Sequence, residues 1–204
     1  MPLTHDQLLD AAVRLLDESG FAALSMRRIA GALGVQPGAL YWHVESKQQL
    51  LAGVAARILQ DVPRAPQPDD SPAQQWDVLV WAWAHALHES LLAHRDGAEL
   101  TASVIAMRPA DLALIDAPVA ALAYAGLSPR DAQAAARAML HFVVGVSVDE
   151  QNVRQFAELG ATAGTAREAA DIFPVGLQLL LDGVRSRLTP GRNAATRGSA
   201  VTRG

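Results

Sequence analysis

Two groups of residues in this 204-residue chain have the types and spacing for chemistry. The first is His85, His88 and Glu89, an HxxHE pattern on one stretch of helical periodicity, with His94 and His141 further along. Zinc sites on a helix place two histidines one turn apart with a third ligand set by the fold, in the orders HExxH or HxxEH, and HxxHE is neither. A metal-dependent enzyme therefore stands only as an alternative, and no Gly-rich phosphate loop or GxSxG elbow adds to it. The second group lies in FAALSMRRIAGALGVQPGALYWHVESK, Phe21 to Lys47. There cations, a tyrosine, a tryptophan and a histidine crowd onto two short helical segments.

Those segments need positioning, and the sequence says how. Ser25 is an N-cap residue; Ile29, Ala30 and Leu33 then repeat at helical spacing until Gly34, where a left-handed residue is least costly. Pro37 has the backbone angle of a first helical position, and a second short helix turns Leu40 and Val44 inward while Tyr41, Trp42 and His43 cover its other faces. Two short helices so tightly joined cannot bury themselves. The helix before them, opened by Thr4 and Gln7 as a capping box and striped with Leu8, Ala12, Leu15 and Leu16, supplies the support. A helix-turn-helix of this kind places its second helix in the DNA major groove. The charge agrees: residues 1–20 carry −3, whereas residues 21–60 carry +3 from Arg27, Arg28, Lys47 and Arg57 against Glu45.

The overall charge of −4 excludes a generally basic nucleic-acid coat. Half of the residues are apolar, yet no run approaches the roughly 18 needed to cross a membrane. The opening MPLTHDQLL lacks the pattern of an export signal, and the absence of cysteine removes disulfides and thiolate chemistry. A cytoplasmic protein without a cofactor is expected.

Further along, Ser46 and Gln49 cap a fourth helix carrying Leu50, Leu51, Val54 and Ile58 to about Val62. A proline-rich connector, residues 63–68, follows. The expected organisation is a DNA-binding unit at 1–62, a second helical unit at 71–188, and a disordered tail at 189–204 without an apolar face. Within the second unit helices are expected at about 71–93, at 98–107, at 109–125, at 128–151 after Ser128-Pro129, and from about Arg167 through 174–188, with a loop at 160–164. No strand pattern is present, so the fold class is all-α. The 128–151 helix, with Ala134, Ala135, Ala138 and Gly145, and the 174–188 helix, with Leu177, Leu180, Leu181 and Val184, are apolar on more than one side and call for a partner.

Gly20-Phe21, Leu24-Ser25, Arg27, Ile29-Ala30, Leu33-Gly34-Val35, Leu40-Tyr41-Trp42-His43-Val44 and Ser46-Lys47 resemble the DNA-binding domain of the tetracycline repressor (TetR) family. LLAHRDGA at 91–98, Arg108-Pro109, HFVVG at 141–145 with Asp149-Glu150-Gln151, and PVGLQLLLDGVRSRL at 174–188 extend the resemblance over nearly the whole chain. It implies a homodimer through the 128–151 and 174–188 helices, double-stranded palindromic DNA as one partner and a small-molecule effector as another. It implies Arg27 on a base edge or phosphate, and Arg28, Tyr41 and Lys47 on phosphates. Gln36, Gly38 and Ala39 would lie on the groove floor, with Pro37 beside them, and Trp42 and His43 on backbone and bases. Core packing of Tyr41 and Trp42, and a merely solvated Arg28, are the competing readings.

The effector does not carry over. Where the family's tetracycline-binding members have a magnesium-ligating His, this chain has Thr101 or Val104, depending on the anchor counted from, and their pocket Asn and Phe correspond to Trp83 and Leu87. Their acidic residue near the metal corresponds to Asp149, and Pro63 replaces another histidine. Trp83, Leu87, Thr101, Val104, Arg108, Pro109, His141 and Asp149 are the expected ligand-lining positions. They hold no metal site, and their apolar character favours a hydrophobic, uncharged effector. A DNA-binding factor without a ligand, or an activator, are the alternatives.

Overall fold

A computed structural model of the chain describes residues 3–64, 72–107, 113–160 and 166–189, and all regular structure among them is helical. The helices are α1 (His5–Ser19), α2 (Met26–Leu33), α3 (Pro37–Leu40), α4 (Lys47–Ile58), α5 (Pro72–Leu92), α6 (Gly97–Met107), α7 (Asp116–Tyr124), α8 (Pro129–Glu158) and α9 (Ala166–Leu188), with a 3-10 turn at Phe21–Ala23. The capping chemistry sets most starts. Thr4 and Gln7 form a reciprocal capping box on α1, and Ser25, Ser46 and Ser128 each accept a backbone N–H of the helix they open. Each such cap stabilises its helix by about 1 kcal/mol.

Helices α1, α2, α3 and α4 close around Leu8, Leu16, Ile29, Leu40, Leu50 and Val54, all but sealed from solvent. Helices α5, α7, α8 and α9 pack around Trp83, Leu87, Leu122, Val143 and Leu177. Burying aliphatic and aromatic side chains of this size stabilises by about 1.5–3 kcal/mol each. Trp83 keeps its polar atom satisfied, donating from Nε1 to the Leu114 carbonyl at 2.8 Å. The two halves are joined by α6, which packs on both α4 and α8.

Several boundaries differ from the sequence expectation. Helix α4 stops at Ile58, four residues before Val62, which is nevertheless buried in the following turn. Helix α7 begins at Asp116 rather than near Pro109, and Arg108 and Pro109 lie outside the described residues. Helix α8 continues past Gln151 to Glu158, because no breaker intervenes before Gly160 at φ 74°. Helix α9, by contrast, spans Ala166–Leu188 with Pro174 inside it, in line with the helix expected from about Arg167 through 174–188. Of the expected 160–164 loop and 189–204 tail, only Gly160 and Thr189 lie within the described residues.

Candidate nucleic-acid interface and effector region

The helix-turn-helix is held from behind. Gly34 at φ 67° ends α2, and its N–H bonds back to Ala30 and Gly31. Gln36 then leads into Pro37 at the first position of α3. That helix is a single turn. Its last residue, Leu40, is buried, and the chain continues through Tyr41–His43 as a hydrogen-bonded turn, with His43 and Val44 N–H donating to the Leu40 carbonyl at 2.9 and 3.1 Å.

Everything assigned to DNA lies on the open side. Arg27, Arg28, Gln36, Pro37, Gly38, Tyr41, Trp42 and Lys47 are exposed, and Ala39 and His43 are half-buried. A Cβ added to Gly38 would meet nothing within 4 Å, leaving its backbone open to close approach. Trp42 is 88 % exposed and Tyr41 54 %, which rules out the core-packing reading of both. A bare tryptophan beside a bare tyrosine is unusual for a surface that only meets water. Arg28 donates to Ser19 Oγ at 3.1 Å, which orients it. Arg57, counted with the positive face from sequence, is neutralised instead, by Asp10 at 2.6 Å and Asp6 at 3.9 Å.

In the other half, Trp83, Leu87, Thr101 and Val104 all point inward and are fully or almost fully buried. His141 and Asp149 do not join them: both are on the exposed side of α8. Helix phase is the reason, since Val143, Val144, Ser147, Glu150 and Gln151 claim the inward face. Glu150, one residue from Asp149, is therefore the carboxylate that faces the interior, 3 % exposed. The HxxHE pattern also separates. His88 faces Glu150 across the bundle with Nε2 3.3 Å from its Oε2, His85 bonds the Trp81 carbonyl at 2.9 Å, and Glu89 is exposed. Phe173 of α9 stacks on His88 with centroids 4.0 Å apart and planes 3° from parallel. Among the described residues no three His, Asp or Glu side chains are grouped to hold a metal ion.

Helices α8 and α9 leave apolar groups bare. Leu177, Leu181 and Val184, expected to face a partner, are buried within the subunit. The outward stripe of α9 is Ile172, Val175 and Leu179, each more than half exposed. On α8, Ala134, Ala138 and Gly145 are exposed as expected of a close-approach face.

Asp96, which sequence reasoning passed over, ties the halves together. Its Oδ2 accepts the Phe21 N–H at 2.8 Å, and its Oδ1 accepts from Gln155 Nε2 of α8. His94 beside it reaches Asp17 of α1 at 3.1 Å. The signal for both was HRDG, a polar run at a helix corner.

The sequence pattern described as bacterial regulatory proteins, tetR family, matches residues 8–54, and that of the tetracyclin repressor-like C-terminal domain matches residues 67–170. The chain belongs to the tetR family of bacterial regulatory proteins. Among its relatives, the class A tetracycline repressor from transposon 1721 of Escherichia coli is 34% identical over 212 aligned residues, covering 94% of each chain. The crystal structure of BioQ with its natural double-stranded DNA operator is similar with a TM-score of 0.75 and 36% identity, over 89% of this chain and 98% of that one. A TetR variant from Acinetobacter baumannii AYE in complex with minocycline gives 0.76 and 28%, over 92% and 99%. The tetR-family fold thus spans both halves, and the relatives are transcriptional regulators rather than enzymes.

Proposed function

We propose that this tetR-family chain acts as a homodimeric repressor that holds a palindromic operator through two copies of the α2–α3 unit and is released by a small, largely apolar effector bound among α5, α6 and α8. The observation that carries the DNA reading is the exposed Tyr41–Trp42 pair beside Arg27, Arg28 and Lys47. The operator-bound BioQ structure supports it. The bare Ile172–Val175–Leu179 stripe supports dimerisation through α8 and α9, and the minocycline complex of the TetR variant supports a small-molecule effector.

The coupling route is short. Gly97, at the start of α6, packs close to Ile58 of α4, while Thr101 and Val104 further along α6 are among the proposed effector contacts. An effector that prefers one position of α6 shifts α4, and through Asp96 the turn at Phe21, so that the two reading helices no longer match successive major grooves. Selection from a randomised duplex library with the purified protein tests the reading. Enrichment of an inverted repeat is expected; recovery of no sequence above background would overturn it.

A further inference from the structure

Among the described residues, three buried polar atoms of the C-terminal half have no hydrogen-bond partner: His88 Nε2 on α5, Thr101 Oγ1 on α6 and Glu150 Oε2 on α8. Thr101 is wholly buried and Glu150 nearly so. His88 and Glu150 approach to 3.3 Å but without the alignment of a hydrogen bond. The half-exposed Arg154 reaches the same carboxylate oxygen only at 3.5 Å.

Gln151 places these atoms at one level of the bundle. Its Oε1 accepts the Ala98 N–H at 3.1 Å, and its Nε2 donates to the carbonyls of Leu91 and His94 at 3.0 and 2.7 Å. His88 lies one turn before Leu91 on α5, Thr101 one turn after Ala98 on α6, and Glu150 next to Gln151. Unpartnered polar atoms in a core are costly, and a matching set of apolar residues is often at least as stable. A layer of three such atoms, on helices that also bury Trp83, Leu87 and Val104, fits a recognition site better than a core built for stability alone.

We propose that Glu150, Thr101 and His88 are the polar anchor of the effector site, and that the effector is an apolar, ring-bearing molecule presenting a hydrogen-bond donor, a hydroxyl or a protonated amine, to the Glu150 carboxylate. This rests on the C-terminal half being the effector-binding half. It departs from the expectation of a purely hydrophobic, uncharged ligand. Burial holds His88 below its ordinary pKa against the opposing pull of Glu150, so its imidazole is neutral at pH 7 and leaves the carboxylate charge largely to Arg154. An anionic effector meets that charge; a donor satisfies it. Phe173, His85 and Phe142 supply the aromatic wall.

The test uses four probes with one ring system: naphthylmethylamine, naphthylmethanol, naphthoic acid and methylnaphthalene, titrated calorimetrically into the full chain and into Glu150→Gln. The amine or the alcohol is expected to bind at least about tenfold more tightly than the acid and the hydrocarbon, with that preference lost in Glu150→Gln. Preference for the amine identifies a cationic effector, and equal binding of amine and alcohol a neutral donor. Thr101→Val with Glu150→Leu should fold with an unchanged or higher Tm while binding the hydrocarbon best. Tightest binding of the acid or the hydrocarbon to the unaltered chain, or a Glu150→Gln variant with the same preference, overturns the anchor but leaves an effector-binding half. Binding of none of the four, with unchanged operator affinity of the apolar double variant, overturns both the anchor and the effector reading.

Discussion

Replacing Asp96 by Asn isolates the contact that joins the DNA-reading half to α8. Asp96 adopts φ 53°, a left-handed conformation that Asn tolerates as well as Asp does, so the backbone is undisturbed. Two donors converge on the carboxylate, the Phe21 N–H at 2.8 Å and Gln155 Nε2. An amide offers one oxygen to two donors and turns its NH2 group toward the other. One hydrogen bond to a charged acceptor is lost, and because the site is only partly buried the cost falls at the lower end of its range, about 1.5–2 kcal/mol. For a chain of this size that corresponds to a fall of about 3–8 °C in Tm. Differential scanning calorimetry against Arg95→Ala, a change at the exposed neighbour, checks it. Gly20→Ala attacks the same bond from the other side, since its Cβ would stand 2.5 Å from Asp96 Oδ2 at a backbone φ of 78°. The double variant should then lose less than the two single losses added. An Asp96→Asn transition matching that of Arg95→Ala would refute the tie.

Other consequences are as direct. Trp42→Ala should weaken operator binding by at least about tenfold while leaving Tm unchanged, because its ring is 88 % exposed; fluorescence anisotropy with a selected duplex measures the first and calorimetry the second. Leu179→Asp puts a charge in the bare stripe of α9 and should shift the chain from dimer to monomer in sedimentation velocity; a retained dimer would place the interface elsewhere. Burial depresses the His88 pKa below its ordinary 6.5, so the unfolded chain binds the proton more readily than the folded one. Stability from this group is intact above 6.5 and is lost as pH falls through that value toward the lower folded one. His88→Gln should flatten the stability profile on the acid side, read from urea midpoints between neutral and mildly acid pH; an unchanged slope would mean that His88 does not titrate differently on folding.

How much of this was legible in the sequence follows from what local chemistry can specify. Caps at Thr4, Ser25, Ser46 and Ser128 and the left-handed Gly34 act within a few residues, so they placed the helix-turn-helix and the start of α8. Helix phase decides more than type does. Asp149 and Glu150 are adjacent carboxylates, about 100° apart around α8, and only packing by Val143, Ser147 and Gln151 turns Glu150 inward and leaves His141 outside. In α9 both faces are apolar, and the sequence did not distinguish Leu177 and Leu181, which serve the subunit core, from Ile172, Val175 and Leu179, which stay bare. The approach of His88 to Glu150 rather than Glu89 brings together residues 62 positions apart, beyond the reach of any local pattern.

The DNA-reading role is tested most directly by hydroxyl-radical footprinting of the protein on its best selected duplex. Two protected half-sites, related by a dyad and centred one helical turn or a multiple of it apart, about 34–36 Å for one turn, are the expected result. Trp42→Ala should remove both at the same protein concentration. A single continuous protected stretch without a dyad, or a footprint indifferent to Trp42→Ala, would contradict a dimer reading DNA through the Tyr41–Trp42 face.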